Sequence, residues 1–181
     1  MKVYVHLANG FEEIEATTVI DVLRRAEIDV ETVSITGDLL VTGAHGVGVK
    51  ADKLIDDVNY DSGDMIVLPG GMPGTTNLGN CSKLIEQVKK YNDQKKWVGA
   101  ICAAPMILGE NGLLEGKTAV IYPGMEEHLK GAELGNNKVE VDGNIITSKG
   151  PGTAMDFALK LVEVLKDKDA VNKLKEEMLL S

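Results

Sequence analysis

Strand-like apolar runs alternate with helical ones along almost the whole chain, and this order restricts the fold more than any single motif. KVYVHL is β-rich and precedes a run with helical periodicity from Glu12 to Ala26. VETVSI reads as the next strand, and LLVTGAHGVGVKAD as a short hairpin excursion through its glycines. DMIVLPGG is a continuous apolar strand halted by Pro-Gly-Gly. After it the polar loop TTNLGN leads to a helix over about Ser82 to Tyr91. The strand WVGAI is followed by a helix opening at Ala103, and KTAVIY reads as a further strand. KVEVDGNIITS predicts a hairpin turning at Asp142-Gly143. Amphipathic GTAMDFALKLVEVL and a charged final helix complete the pattern.

This alternation predicts a mainly parallel sheet with helices on both faces, an α/β sandwich of the flavodoxin or Rossmann type. Too few βα units are present to close a barrel. No repeat, low-complexity block or linker divides residues 1–181, which read as one domain. Sites in such sheets form outside the carboxyl ends of the strands. Those ends lead here to Asn9-Gly10 and Glu15, Gly70-Gly71, Cys102, Tyr122 and Lys149-Gly150.

The charge balance narrows the partners. With 28 acidic and 19 basic residues the chain carries a formal charge of −9, which repels nucleic acid and anionic lipid. The apolar start, MKVYVHLANG, is too short for a signal sequence or a membrane span. Cys81 and Cys102 stand apart with no CxxC, so neither a zinc site nor a disulfide is expected, and a reducing cytoplasm is the simplest compartment. His6, His45 and His128 show no metal-ligand spacing. His6 reads as structural, His128 as solvated, and His45 as a residue at the edge of the cleft. No cofactor motif is present: LPGGMPG lacks the GK[ST] ending of a phosphate-binding loop, and GAHGVG is not GxGxxG.

Cys102 lies at the corner between a strand and a helix, the setting of a nucleophile elbow, where a strained turn lifts a side chain into a cleft. Ala100, Ala103 and Ala104 are small and permit close approach, and a helix N-terminus favours thiolate over thiol. Position alone leaves a second reading open, since free cysteine is also among the most buried residue types. Cys81 follows a polar loop instead and carries no such signal.

Glu15 is the second informative residue. At ~100° per residue it shares a helical stripe with Val19, Val22 and Ala26, and it is the one charged group on that stripe. A carboxyl facing a core must be paired, hydrogen-bonded or protonated. The competing reading is an acidic residue in a first helical turn, favoured by the dipole and partly solvated. By the same geometry Glu12 lies toward the edge of the stripe and Glu13 on the opposite side. The glycines of LPGGMPG can turn backbone N–H groups toward a developing oxyanion, and taken singly they read equally as turn residues with no function.

The set GFEEIEA, DVLRRA, LPGG, ICAAP and GPGTAMDFAL, in this order, resembles the ThiJ/PfpI superfamily of the glutamine-amidotransferase-like fold. Within it the chain is most similar to the branch of the parkinsonism-associated protein deglycase and its bacterial homologues. The resemblance implies that Cys102 is the reactive cysteine and Glu15 its protonated partner, with Gly70 and Gly71 lining the pocket beside Ala103. It implies a homodimer in which Arg25 lies close to both interface and pocket. It also implies cofactor-independent glyoxalase or deglycase chemistry on small dicarbonyls or early glycation adducts, with redox sensing or stress protection through Cys102 as the alternative. A thiazole-biosynthesis role and a peptidase are weaker readings. Several members carry a histidine where Tyr122 stands here, in AVIYPGMEE; this departs from any Cys-His mechanism, because tyrosine is a poor general base at neutral pH.

Overall fold

The computed structural model describes residues 1–180. Its elements in chain order are β1 (Lys2–Leu7), α1 (Glu13–Arg25), β2 (Asp29–Ser34), β3 (Leu40–Thr42), β4 (Gly48–Lys50), β5 (Lys53–Leu54) and β6 (Met65–Leu68). There follow α2 (Gly74–Gly79), α3 (Ser82–Asp93), β7 (Trp97–Ile101), α4 (Pro105–Glu110), β8 (Thr118–Ala119), β9 (Glu133–Leu134), β10 (Val139–Asp142), β11 (Ile145–Ser148), α5 (Ala154–Leu165) and α6 (Lys168–Glu177).

Seven strands form the main sheet in the order β10-β11-β7-β6-β1-β2-β5, parallel except for the β10–β11 hairpin. The alternation of strands and helices therefore yields the expected mainly parallel sandwich. Period-two side-chain alternation divides the core into two layers. Val3, Val5 and Leu7 of β1 pack on one face with Val19, Val22 and Leu23 of α1 and Phe157, Ala158 and Leu161 of α5. Tyr4 and the following Ala8 point to the other face, against Leu84, Val88 and Tyr91 of α3 and Ile107 and Leu108 of α4. A strand buried on both faces needs apolar residues in both registers, which is why β6 reads as unbroken MIVL. No helix among the described residues is long and apolar enough to cross a membrane.

Two segments differ from the sequence expectation. KTAVIY does not join the main sheet. Only Thr118–Ala119 is a strand, paired with β9, because the β10–β11 hairpin already occupies that edge of the sheet. The rest of the run is tied down irregularly, with the Val120 N–H donating to Thr147 Oγ1 at 3.0 Å. TTNLGN is mostly the helix α2 rather than a loop, and its Leu78 is fully buried.

Candidate active site

Three carboxyl ends of the parallel sheet meet beside the N-terminus of α1. The chain leaves β7 at Cys102, which adopts φ +62°, a left-handed conformation that costs a non-glycine residue about 1–2 kcal/mol. Two backbone bonds hold it there. The Cys102 N–H donates to the Ser148 carbonyl at 3.0 Å, and the Cys102 carbonyl accepts the Tyr122 N–H at 2.9 Å. The elbow expected from sequence is present, but α4 begins only at Pro105, three residues on. Cys102 is 8% exposed.

Glu15 is fully buried, which selects the core-facing of its two sequence readings over the partly solvated one. Its Oε2 accepts the Gly70 N–H at 2.8 Å. Oε1 receives no N–H or O–H, and the carboxyl's remaining interaction is with the Cys102 thiol. Gly70 fits between the two: a Cβ there would stand 2.6 Å from Cys102 Cβ and 2.7 Å from Glu15 Oε2. Glu12 caps α1, its Oε2 accepting the Glu15 N–H at 2.7 Å while its own N–H donates to the Gly70 carbonyl at 2.9 Å.

These surroundings set the protonation. Burial pushes the Glu15 carboxyl up to about 7 against the opposing bonds from Gly70 and Cys102, and the nearby Glu12 charge adds to the rise. Burial first, and then the negative charge of Glu15, push the Cys102 thiol up to about 12, while the Gly71 and Ala103 amides work the other way. Facing an ionised Glu15, Cys102 is a thiol. Thiolate becomes favourable only when Glu15 holds the proton, since protonation removes the opposing charge and supplies a donor.

The amide donors need correction. Gly70 N–H is committed to Glu15, so the donors aimed at sulfur are those of Gly71 and Ala103. Gly71 has φ +88°, and a side chain there would run into the Gly10–Glu12 backbone.

Glu13 is the residue that periodicity misplaced. It is buried, under the loop between β3 and β4, where its carboxylate accepts His45 N–H at 2.6 Å, His45 Nδ1 at 2.8 Å and Val47 N–H at 3.4 Å. Burial pushes this carboxyl up, but the bonds from His45 and Val47 outweigh it and hold the group below the usual carboxylate range. His45 is raised in turn by its hydrogen bond to Glu13. Glu12, Glu13 and His45 bring donor atoms within 4.8 Å of one another, a grouping that linear spacing did not reveal. Because both Glu13 oxygens already accept N–H groups, the cluster is a clamp on the hairpin.

The remaining predicted residues are placed as follows. Tyr122 contributes its backbone to Cys102; its side chain is 47% exposed and lies against Gly150. Arg25 does not reach Cys102 of its own chain. It sits at the far end of α1, about 15 Å from Glu15 by helical rise, and pairs with Asp21 at 2.7 Å. His6 is buried and bonds Tyr60 Oη through Nε2 at 2.7 Å, a structural role as expected. His128 is half-buried beside Glu110 at 3.0 Å rather than simply solvated.

Comparison with known proteins places the chain in a family. The DJ-1/PfpI family model matches residues 1–164. Protein DJ-1 homolog B of Arabidopsis thaliana is 44% identical over 93% of this chain, and the chain spans only 39% of that relative's length. Protein dj-1beta of Drosophila melanogaster is 36% identical over 98% of this chain and 96% of its own. Among solved structures, oxidized Toxoplasma gondii DJ-1 superposes with a TM-score of 0.95 at 41% identity, covering 98% of this chain and 97% of that one. The chain belongs to the DJ-1/PfpI family.

Proposed function

We propose that this protein is a cofactor-independent enzyme that converts small α-oxoaldehydes, or their early adducts on amines, to hydroxy acids. The observation that carries the reading is the buried Glu15 carboxyl beside Cys102, with a proton affinity near neutrality. A base is most useful when its pKa lies near the working pH.

Ionised Glu15 takes the thiol proton as sulfur attacks the aldehyde carbon and passes it to the carbonyl oxygen, which completes the hemithioacetal and leaves Glu15 ionised again. The Gly71 and Ala103 amides lie where they can stabilise negative charge on sulfur or on the incoming oxygen. Glu15 then removes the proton from the former aldehyde carbon and returns it to the adjacent carbon. This isomerises the adduct to a thioester of the hydroxy acid, and water cleaves the thioester to release acid and thiol. Tyr122 replaces no imidazole in this sequence, because Glu15 alone moves the protons. A homodimer that brings Arg25 of one chain near Cys102 of the other fits the exposed Ile14, Leu40 and Val47 on α1 and the hairpin.

The test is lactate formation from methylglyoxal by wild type, Cys102→Ser and Glu15→Gln. The reading expects Cys102→Ser to fall at least ~10³-fold, and wild-type turnover no faster than that variant would remove it. Redox sensing by Cys102 is the competing account. It would be favoured by rapid peroxide addition of two oxygens to Cys102 in a protein with no turnover.

A further inference from the structure

An open depression of about 430 Å³, lined largely by exposed side chains, lies beside the carboxyl ends of β1 and β2, and none of Cys102, Glu15, Gly70 or Gly71 lines it. Its volume falls in the range of small-molecule sites, roughly 300–1,000 Å³. It lies on the carboxyl-end side of the sheet, the side on which open α/β sheets bind ligands, one strand away from the β6–β1 reversal of strand order.

The lining is polar and carries no charge. Asn9, Asn77 and Asn80 face the depression, with Ala8 and Ile35 supplying apolar surface. Two of the amides are fixed by the fold. Asn9 Oδ1 accepts Thr42 N–H at 3.1 Å, and Asn77 Nδ2 donates to the Asn9 carbonyl at 2.9 Å. The groups left over are exposed and without a partner among the described residues: the Asn9 NH₂ as a donor pair and Asn77 Oδ1 as an acceptor. The Asn80 amide has no partner among the described residues and offers both. No aromatic ring lines the depression, so a stacked nucleobase has no platform, and no lysine or arginine is present to neutralise an anion in a chain of charge −9.

We infer that this depression binds an uncharged polyol of about monosaccharide size. Each hydroxyl both donates and accepts, so one ligand answers the Asn9 donors and the Asn77 acceptor, while its C–H face covers Ala8 and Ile35. The site is separate from the Cys102 chemistry, and the inference stands whether or not the protein turns over dicarbonyls.

Cys81 also lines this depression and supplies the readout. In a Cys102→Ser background it is the chain's only thiol. Xylitol and myo-inositol, which are non-reducing and cannot modify the protein, serve as probes, with gluconate as an anionic polyol of similar size. The site predicts saturable slowing of Cys81 alkylation by iodoacetamide, about fivefold when the polyol stands at four times its Kd. Gluconate should protect far less. Asn77→Ala/Asn80→Ala should lose the protection while its unprotected rate stays within about twofold, with folding checked by circular dichroism. In wild type, titration with xylitol should shift the side-chain amide NMR signals of Asn9, Asn77 and Asn80. Undiminished alkylation together with unmoved amide signals at the highest soluble polyol concentration would overturn the inference. Equal protection by gluconate would overturn its restriction to uncharged ligands.

Discussion

Glu13 and Glu15 stand two residues apart in the first turn of α1 and both are buried, yet their proton affinities move in opposite directions. The difference lies in what each carboxyl meets. Glu13 receives three N–H groups from the hairpin loop, enough to offset its desolvation. Glu15 receives one N–H and faces a thiol, and burial wins. Glu15 is the more deeply buried of the two and has fewer donors, so depth of burial and hydrogen-bond supply together make one carboxyl a fixed anion and the other a proton carrier.

The strongest way to break this contrast is to neutralise each carboxyl in turn. Glu15→Gln should lower kcat for dicarbonyl conversion ~10²–10⁴-fold, as expected for a lost general base. Glu13→Gln should stay within about tenfold of wild type, since it loosens the hairpin and leaves the thiol's partner in place. Similar losses in steady-state kinetics of the two variants would erase the distinction.

Stability should run the opposite way from activity. Raising a buried carboxyl from 4.5 to about 7 means the folded state binds more protons than the unfolded one between those values. Stability is therefore lost as pH rises through that window, by about 3 kcal/mol once both states are ionised. Glu15→Gln keeps an acceptor for Gly70 N–H and avoids this loss. Urea melts should find it more stable than wild type at pH 8, with the gain vanishing near pH 4. No such crossover is expected for Glu13→Gln.

Gly70→Ala sharpens the geometry of the pair. The added Cβ would press on both Cys102 Cβ and Glu15 Oε2, so the variant should lose about 1–3 kcal/mol of stability along with its turnover. Wild-type stability and turnover in Gly70→Ala would mean that Cys102 and Glu15 are not held this close. A smaller effect is expected at His45, whose imidazole pKa, followed by NMR, should fall back toward its ordinary value in Glu13→Gln.

Much of this was legible in the sequence, for physical reasons. Side-chain periodicity found the sandwich because each strand is covered on both faces. The strand-to-helix corner marked Cys102, and one glutamate on an apolar stripe marked Glu15. Glu13 was not legible: a helical wheel assigns it outward, and the loop that buries it comes about thirty residues later. The placement of KTAVIY was hidden similarly, because competition for a sheet edge is settled by the β10–β11 hairpin. The commitment of Gly70 N–H to Glu15 could be seen only once the loop after β6 was placed against α1.

The account rests on Glu15 carrying a proton near neutral pH beside Cys102, and a ¹³C NMR titration of the Glu15 Cδ in the wild-type protein observes that group directly. An apparent pKa of about 7 is expected, with a second inflection absent until the thiol ionises at high pH. A carboxyl that titrates at or below 4.5 would contradict it, because Glu15 would then be a fixed anion like Glu13.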